Sequence, residues 1–588
     1  MYSRILLSLL SLALALGAGL NTVRALEEKS TLLNVLPKET TLLLRTSNMK
    51  ALLEKLKKSP IYRLKDHPDV QDLAKRFTDE FNHEVAEEIG FDPLELLDAI
   101  GGEWVLAIGS LDPLATAIGK ALGDGQPPDV QPDSIPVLLA ADAGGSVSVA
   151  HEKLEKLFAY AEKKGAKRES SDFQGGRIVH LRLEGASDNS HANKKSDGVS
   201  FYFGELGNCL YCSLRRPFLE GAMRKRAMGK TDAPEADSLA ASTRFQETLQ
   251  MTGDGDALVY VDVKRLTSSI RNALSTTLFA FLWQSFDAVV FGKSFNNAAV
   301  SFSLETKGIQ HAFYANNSGA ADGILGLFKA DSQPAMPPKA VPAGAEIYTA
   351  TAFNPAQLGE IVTEVVQTIH AMEGQRVNVD KIFEDTVGVT LTTIVGALGK
   401  RIVLFSGKPE LDNPLAGHAY LVTVKDEVPI KKVLEKLAEM PSFKLQSEKG
   451  NERNVYSLDL GGIGELAITV AGGSLIVTGS KAELAKLIGR QSGSSPGLAG
   501  AESYKKVAGV VPPQVSFVSY TASTYMKSYL DTLVATMESI GTGDEGVADC
   551  LSALGGVLGS SVSHGDWKGP GLRGDGWLYY VEREENSE

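Results

Sequence analysis

Five short blocks recur in the same order along the two halves of this chain, and any fold it adopts must accommodate them twice. Leu36-Pro37, ahead of the apolar run Leu42-Leu43-Leu44, matches Val341-Pro342 ahead of Ile347-Tyr348, and helix starts follow at Asn48 and Asn354. Ile100-Gly101-Gly102-Glu103-Trp104-Val105-Leu106 matches Leu398-Gly399-Lys400-Arg401-Ile402-Val403-Leu404. Leu154-Glu155-Lys156-Leu157 returns as Leu434-Glu435-Lys436-Leu437, and Gly207 to Ser213 returns as Gly472 to Thr478. Last, Ser238-Leu239-Ala240 with Phe245 matches Gly497-Leu498-Ala499 with Tyr504, before the runs Leu258 to Val263 and Ser516 to Tyr520. The offset drifts from 305 through 298, 280 and 265 to 259, as two copies with different loop lengths would give.

Local patterns fill in each copy. Trp104 to Ile108, Val137 to Ala141, Arg177 to Leu183, Leu258 to Val263 and Ala298 to Leu304 are short apolar or alternating runs bounded by Gly, Pro or Asp, which predicts strands. After Asn48, Met49, Leu52, Leu53 and Leu56 repeat at helical spacing, as do Val70, Leu73, Phe77, Phe81 and Val85. Asn354-Pro355 supplies a cap and a first-turn proline for a helix whose face is Leu358, Ile361, Val362, Val365 and Ile369. Hairpin-like spacing without regular βαβ alternation predicts an α+β chain of two related copies, each a mainly antiparallel sheet with helices packed on one face. The expected division is a signal peptide over 1–25, a first repeat over 26–329, a proline-rich linker over 330–345 and a second repeat over 346–588. Gly123 to Pro136 and Glu184 to Ser200 read as surface excursions.

The N-terminus points to export. Arg4 precedes the apolar run Ile5 to Leu16, and Val23-Arg24-Ala25 offers a cleavage site before Leu26. The rival is a retained anchor, for which the 16 apolar residues from Ile5 to Leu20 fall short of the ~20 a spanning helix needs. Without Arg4 and Arg24, 57 basic side chains face 72 acidic ones, a formal charge of −15 that argues against nucleic acid as a partner. The basic runs Arg215-Arg216 and Arg224-Lys225-Arg226 lack interleaved aromatics and read as solvated surface. Three cysteines are too few for a disulfide framework; Cys550 could pair with Cys209 or with Cys212.

The signal-like start, Leu36-Pro37, Ser59-Pro60 after the first helix, His67-Pro68-Asp69-Val70-Gln71 and the Gly101-Gly102 strand start together resemble a family of bacterial exported proteins. That family is known only as a domain of unknown function and shows internal duplication. The resemblance implies export; it carries over no activity and no functional residues.

Catalytic motifs are sought and not met. Cys209-Leu210-Tyr211-Cys212 sits in strand-like sequence, where residues three apart point to opposite faces, and redox pairs need a helix N-terminus. His83-Glu84 with Glu87, and His151-Glu152 with Glu155, lack the second histidine of a zinc helix. Gly493-Ser494-Ser495-Pro496-Gly497 satisfies G-x-S-x-G, but follows a helix rather than a strand, and His564 and Asp566 add no supporting order. Gly462-Ile463-Gly464-Glu465-Leu466-Ala467 resembles a dinucleotide loop placed between two strands, so a hairpin is the better reading.

No catalytic, cofactor-binding or metal-binding residue is therefore assigned, and no cofactor is expected. The leading expectation is an exported, non-catalytic protein, periplasmic or extracellular, that binds an unknown protein or an apolar ligand or serves the envelope. One variant is a carrier in which Met526, Leu530, Leu533 and Met537, on a helix over Thr521 to Ile540, line a ligand chamber. The alternative is an exported hydrolase whose site joins distant residues among His151, His180, His311, His418 and His564 with a carboxylate. No further membrane-spanning segment is expected once the signal is removed.

Overall fold

The computed structural model describes residues 32–68, 71, 99–124, 134–183, 199–228, 236–274, 290, 292, 294–317, 322–371, 374–407, 415, 417–449, 454–461, 464–493, 497–539 and 545–581. The signal-like segment, the apolar stripe from Val70 to Val85 apart from position 71, and His83 lie outside the described residues. The chain forms two compact units, one drawn from Met1–Trp283, Asn296–Asn316 and Asp544–Ala553, the other from Gln284–Phe295, Asn317–Gly543 and Leu554–Glu588. Both combine helices with antiparallel strands, so the chain is α+β. Among the described residues no helix is long and apolar enough to cross a membrane.

The first unit contains β1 (Leu42–Thr46), β2 (Trp104–Ile108), β3 (Val137–Asp142), β4 (Lys167–Phe173), β5 (Gly176–Leu183), β6 (Val199–Leu206), β7 (Cys209–Ser213), β8 (Ala257–Val261), β9 (Phe295–Glu305) and β10 (Gly308–Asn317). β1 lies between β2 and β8, with Leu44 opposite Leu106 on one side and Val259 on the other. From β2 the sheet continues through β3, β7, β6 and β5 to β4, and from β8 through β9 to β10. The β6–β7 hairpin turns on Gly207 at φ +59°, a value that two-residue turns assign to glycine.

Among the described residues the helices that accompany this sheet include α1 (Met49–Lys58), α2 (Asp112–Asp124), α3 (Val147–Lys163), α4 (Arg216–Met228), α5 (Thr243–Thr252) and α6 (Val263–Leu274). α1 begins where Asn48 predicts it, with the Asn48 side chain accepting the Ala51 N–H at 2.8 Å. Val105, Ala107, Leu138, Ala140, Cys209 and Tyr211 meet α4 and α5 through Leu219, Met223 and Phe245. Their strand neighbours Trp104, Ala141, Val179, Leu181 and Leu210 turn the other way, onto Met49 and Leu52 of α1 and Leu154 and Phe158 of α3. Helices thus cover both faces of the sheet, which corrects the one-face expectation. The reason lies in the strands: Trp-Val-Leu-Ala-Ile and Val-Leu-Leu-Ala-Ala are continuously apolar rather than alternating, and such strands need cover on each side.

The second unit contains β11 (Gln333–Pro334), β12 (Ile347–Ala352), β13 (Leu398–Ser406), β14 (His418–Val424), β15 (Leu445–Lys449), β16 (Asn454–Asp459), β17 (Glu465–Ala471), β18 (Ser474–Thr478), β19 (Gln514–Val515), β20 (Phe517–Thr521), β21 (Leu558–Lys568) and β22 (Gly571–Tyr580). β12 lies between β13 and β20; from β13 the sheet runs through β14, β18, β17 and β16 to β15, and from β20 through β21 to β22. This is the strand order of the first unit, position for position. The main helices are α7 (Pro355–Ala371), α8 (Val379–Val387), α9 (Leu391–Ala397), α10 (Glu427–Glu439), α11 (Lys481–Ser492), α12 (Glu502–Ala508) and α13 (Ser523–Ser539). Again two cores flank the sheet, one holding Leu484, Leu487, Tyr504 and Val507 of α11 and α12, the other Ile430 and Leu434 of α10.

Each unit is closed by a strap laid over its first core. In the first, Leu32, Leu33, Val35 and Leu36 are buried, and Leu36 C=O accepts the Leu239 N–H at 2.9 Å. In the second, Ala335, Ala340, Val341 and Ala345 are buried, Val341 C=O accepts the Leu498 N–H at 3.0 Å, and β11 pairs with β19. The proline-rich stretch 330–345 is therefore folded into the second unit rather than acting as a free linker. Its prolines exclude helix but leave alanine and valine to bury.

Clasps of opposite charge hold these straps. Glu103, just before β2, accepts the Leu32 N–H at 3.0 Å with one carboxylate oxygen and Arg45 Nε at 2.6 Å with the other. At the matching place in β13, Arg401 Nη2 donates to Met336 C=O at 3.1 Å and to the Tyr348 hydroxyl at 3.2 Å. Both straps carry unpaired backbone groups, and either charge can satisfy one.

Candidate functional site

The residues raised by the sequence are mostly held in structural roles. Cys209 lies in the core with Tyr211 while Leu210 faces the opposite core, so Cys212 points away from Cys209. Burial pushes the Cys209 thiol up to about 11 and the Cys212 thiol up to about 12, so neither is a thiolate near neutral pH. Alkylation at pH 8, read by mass spectrometry, is expected to spare both in the native protein and to modify both in guanidinium. Rapid native labelling of Cys209 would contradict its burial, while the half-buried Cys212 should be protected chiefly by its raised pKa. The Cys550 side chain lies outside the described residues.

His151, His180, His418 and His564 each have different neighbours, and His311 lies on β10. His151 Nδ1 is 2.8 Å from Glu205 Oε2. His180 stacks on Tyr202 with ring centroids 4.5 Å apart, near Ser200 Oγ at 3.1 Å and Glu169 at 3.7 Å. His418 lines a pocket of about 150 Å³ with Phe405, Glu483, Lys486 and Arg490. His564 lies on β21; burial lowers its pKa, and the nearby Asp575 and Asp566 only partly oppose the shift. Asp566 accepts the Ser516 hydroxyl directly at 3.0 Å and the Ser332 hydroxyl at 2.9 Å, so no imidazole stands between serine and acid as a relay requires. Glu155 binds Arg168 at 2.7 Å and Arg177 at 2.7 Å, tying α3 to β4 and β5. No group of three or more His, Cys, Asp or Glu among the described residues could hold a metal ion.

The other motifs resolve into turns, helix surface and packing. Gly464 follows the β16 strand in a hairpin closed by Leu460 N–H to Gly464 C=O at 2.9 Å, with 462–463 outside the described residues. Gly497, the last residue of the G-x-S-x-G match, has φ +60° and presses against the strap, where a Cβ would strike Val341 C=O; 494–496 lie outside the described residues. In the basic runs, Arg216 pairs with Glu220 at 2.7 Å, and Arg224 lies 5.9 Å from the Phe173 ring centre. On α13, Leu530 is buried and Met526 half-buried, but Tyr529 is 55% and Leu533 37% exposed, which sets this helix against β21 with an open outer side; the Met537 side chain is not described.

The second unit also carries an open cleft beside Trp567. Of about 340 Å³, it is lined by Lys329, Asp331, Phe353, Asn354, Lys400 and Trp567. Phe353 is buried at its base, and its N–H donates to Lys400 C=O at 2.8 Å, fixing the strand that carries Lys400. Trp567 is locked by its indole N–H, which donates to Phe328 C=O at 2.8 Å, and Lys329 Nζ lies 5.4 Å from the ring centre. Lys400 pairs with Asp331, whose hydrogen bond to the ammonium holds the Asp331 carboxyl below the usual carboxylate range. Asn354 heads α7, whose N-terminal end carries partial positive charge. Two ammonium groups against one carboxylate make the cleft cationic in a chain of formal charge −13.

Sequence reasoning does not assemble this cleft because its side chains come from four separated segments. A local signal exists all the same: Lys400 stands where the similar sequence block in the first half of the chain has Gly102.

No family model matches the chain, and no curated protein matches it. Among solved structures, crystal form III of TP0453 matches with TM-score 0.22 and 10% identity over 42% of this chain and 80% of that one. Crystal form I of TP0453 matches with TM-score 0.22 and 10% identity over 44% of this chain and 82% of that one. Superpositions this loose define neither a shared fold nor a shared activity.

Proposed function

We propose that this chain is an exported, non-catalytic binding or envelope-associated protein, periplasmic or extracellular, built from two related copies of one module. It fits the bacterial exported family that its sequence resembles. Relatedness of the copies is supported by the identical strand order and by matched contacts. Phe245 meets Tyr260 edge-on at 5.0 Å and 83°, and Tyr504 meets Tyr520 at 5.3 Å and 83°. Ala143 N–H bonds Asn208 C=O at 2.8 Å, and Val424 N–H bonds Gly473 C=O at 2.8 Å.

The observation that carries the binding reading is how the reactive groups are used. Glu103, Asp566, Glu155 and the two thiols hold straps, strands and cores, while the open cationic cleft is left to face solvent. The test has two parts. Expression of the full chain in a bacterial host should yield an exported product whose N-terminal residue is Leu26. The same product should turn over no chromogenic ester, phosphoester or peptide above the buffer rate. Retention of Met1 in the cytoplasm would sink the export half; turnover abolished by His151→Ala or His564→Ala would sink the non-catalytic half.

A further inference from the structure

We infer that the cleft beside Trp567 binds a small organic anion, its carboxylate or phosphate held between Lys329 and Lys400 and its apolar body laid against the indole and Phe353. This rests on the reading of the chain as a binding protein and names the chemistry of its ligand. Three features converge on it.

The first is charge. The cleft is cationic within a strongly acidic molecule, so its field favours anions locally although the chain as a whole repels them. The head of α7 adds a second favourable contribution at the same place, through Asn354.

The second is how weakly the cations are engaged. Lys400 is 49% exposed and its partner Asp331 79% exposed. An exposed pair of this kind is screened by water and salt, so it orders the ammonium without competing strongly against a ligand anion. Lys329 is exposed and rests over the Trp567 ring, a contact it can exchange for a ligand carboxylate or phosphate while staying beside the ring.

The third is rigidity on the apolar side. The indole is fixed by its hydrogen bond to Phe328 C=O, Phe353 is buried, and the strand beneath is hydrogen-bonded to the backbone of Lys400. A flat apolar body meets a wall that is already in place, so less conformational freedom is lost on binding. The volume, about 340 Å³, suits a molecule with one ring or a short chain.

The experiment titrates the full mature chain with phenyl phosphate, inorganic phosphate and benzyl alcohol, by calorimetry and by the NMR shift of the Trp567 indole N–H. Phenyl phosphate is expected to saturate and to move that indole resonance; the double variant Lys329→Gln/Lys400→Gln is expected to weaken it by about tenfold or more. Both lysines are exposed, so the thermal midpoint of the variant should equal that of the parent, which separates lost binding from lost folding. Benzyl alcohol binding as tightly as phenyl phosphate would refute the anion site. Inorganic phosphate binding as tightly would refute the apolar wall. No saturation, or binding indifferent to the lysines, would overturn the proposal altogether while leaving an exported Leu26 N-terminus intact as support for the parent reading.

Discussion

Glu103→Ala is expected to destabilise the first unit by about 3–5 kcal/mol, because it leaves the buried Arg45 guanidinium without its principal partner. Arg45 is 4% exposed. Burial alone works against its charge, yet Glu103 and Asp254 outweigh that and raise its pKa. Asp254 remains in the variant but is 48% exposed and cannot replace a carboxylate enclosed with the guanidinium. The Leu32 N–H is orphaned as well, which adds the cost of an unmet buried donor. Denaturant unfolding of Glu103→Ala, Glu103→Gln and Arg45→Met/Glu103→Leu separates the contributions. The amide variant should fall between parent and Glu103→Ala, and the apolar double variant should recover most of the loss. A loss under about 1 kcal/mol for Glu103→Ala would mean the pair is no more than a surface contact.

Tyr520 gives the second large effect, and its sign depends on what replaces it. The ring is fully buried in the second unit and packs edge-on against Tyr504. Tyr520→Ala should cost about 3–5 kcal/mol through lost burial and the cavity left behind. The Tyr520 hydroxyl, by contrast, finds no hydrogen-bond partner among the described residues. Tyr520→Phe should therefore be neutral or stabilising by up to about 1 kcal/mol, since it removes a buried polar atom that has no partner among the described residues. Tyr348→Phe should go the other way, because the Tyr348 hydroxyl donates to Ala335 C=O at 3.1 Å and accepts from Arg401. Equal losses for the two phenylalanine variants would show that the hydroxyls are not distinguished as described.

These positions also show what the sequence discloses and what it hides. Asn48 marks a helix start because a cap is a local device, readable in three or four residues, and Asn354-Pro355 marks another through its first-turn proline. Gly207 and the strands around it are equally local. Cover on both sides of the sheet is harder to read, although the run Cys-Leu-Tyr-Cys carries the clue: an unbroken apolar strand has no solvent side. The strap over 330–345 is masked by its prolines, which announce an absence of helix and say nothing about burial. Glu103 against Arg401 looks like a mismatch between aligned blocks; only their contacts reveal a common task done with opposite charges. The cleft depends on Lys329, Phe353, Lys400 and Trp567, which no periodicity or motif connects.

The opposed clasps carry a consequence for how such a chain reaches its native state. Tandem sheets with one strand order invite a segment from one to anneal onto the other while both are still forming, the usual hazard of look-alike neighbours. A carboxylate accepts only from a donor and a guanidinium donates only to an acceptor, so the two clasps use opposite ends of a strap's peptide groups. Glu103 and Arg401 thus give the two straps different polar requirements: with the two side chains exchanged, Leu32 N–H would face a guanidinium and Met336 C=O a carboxylate.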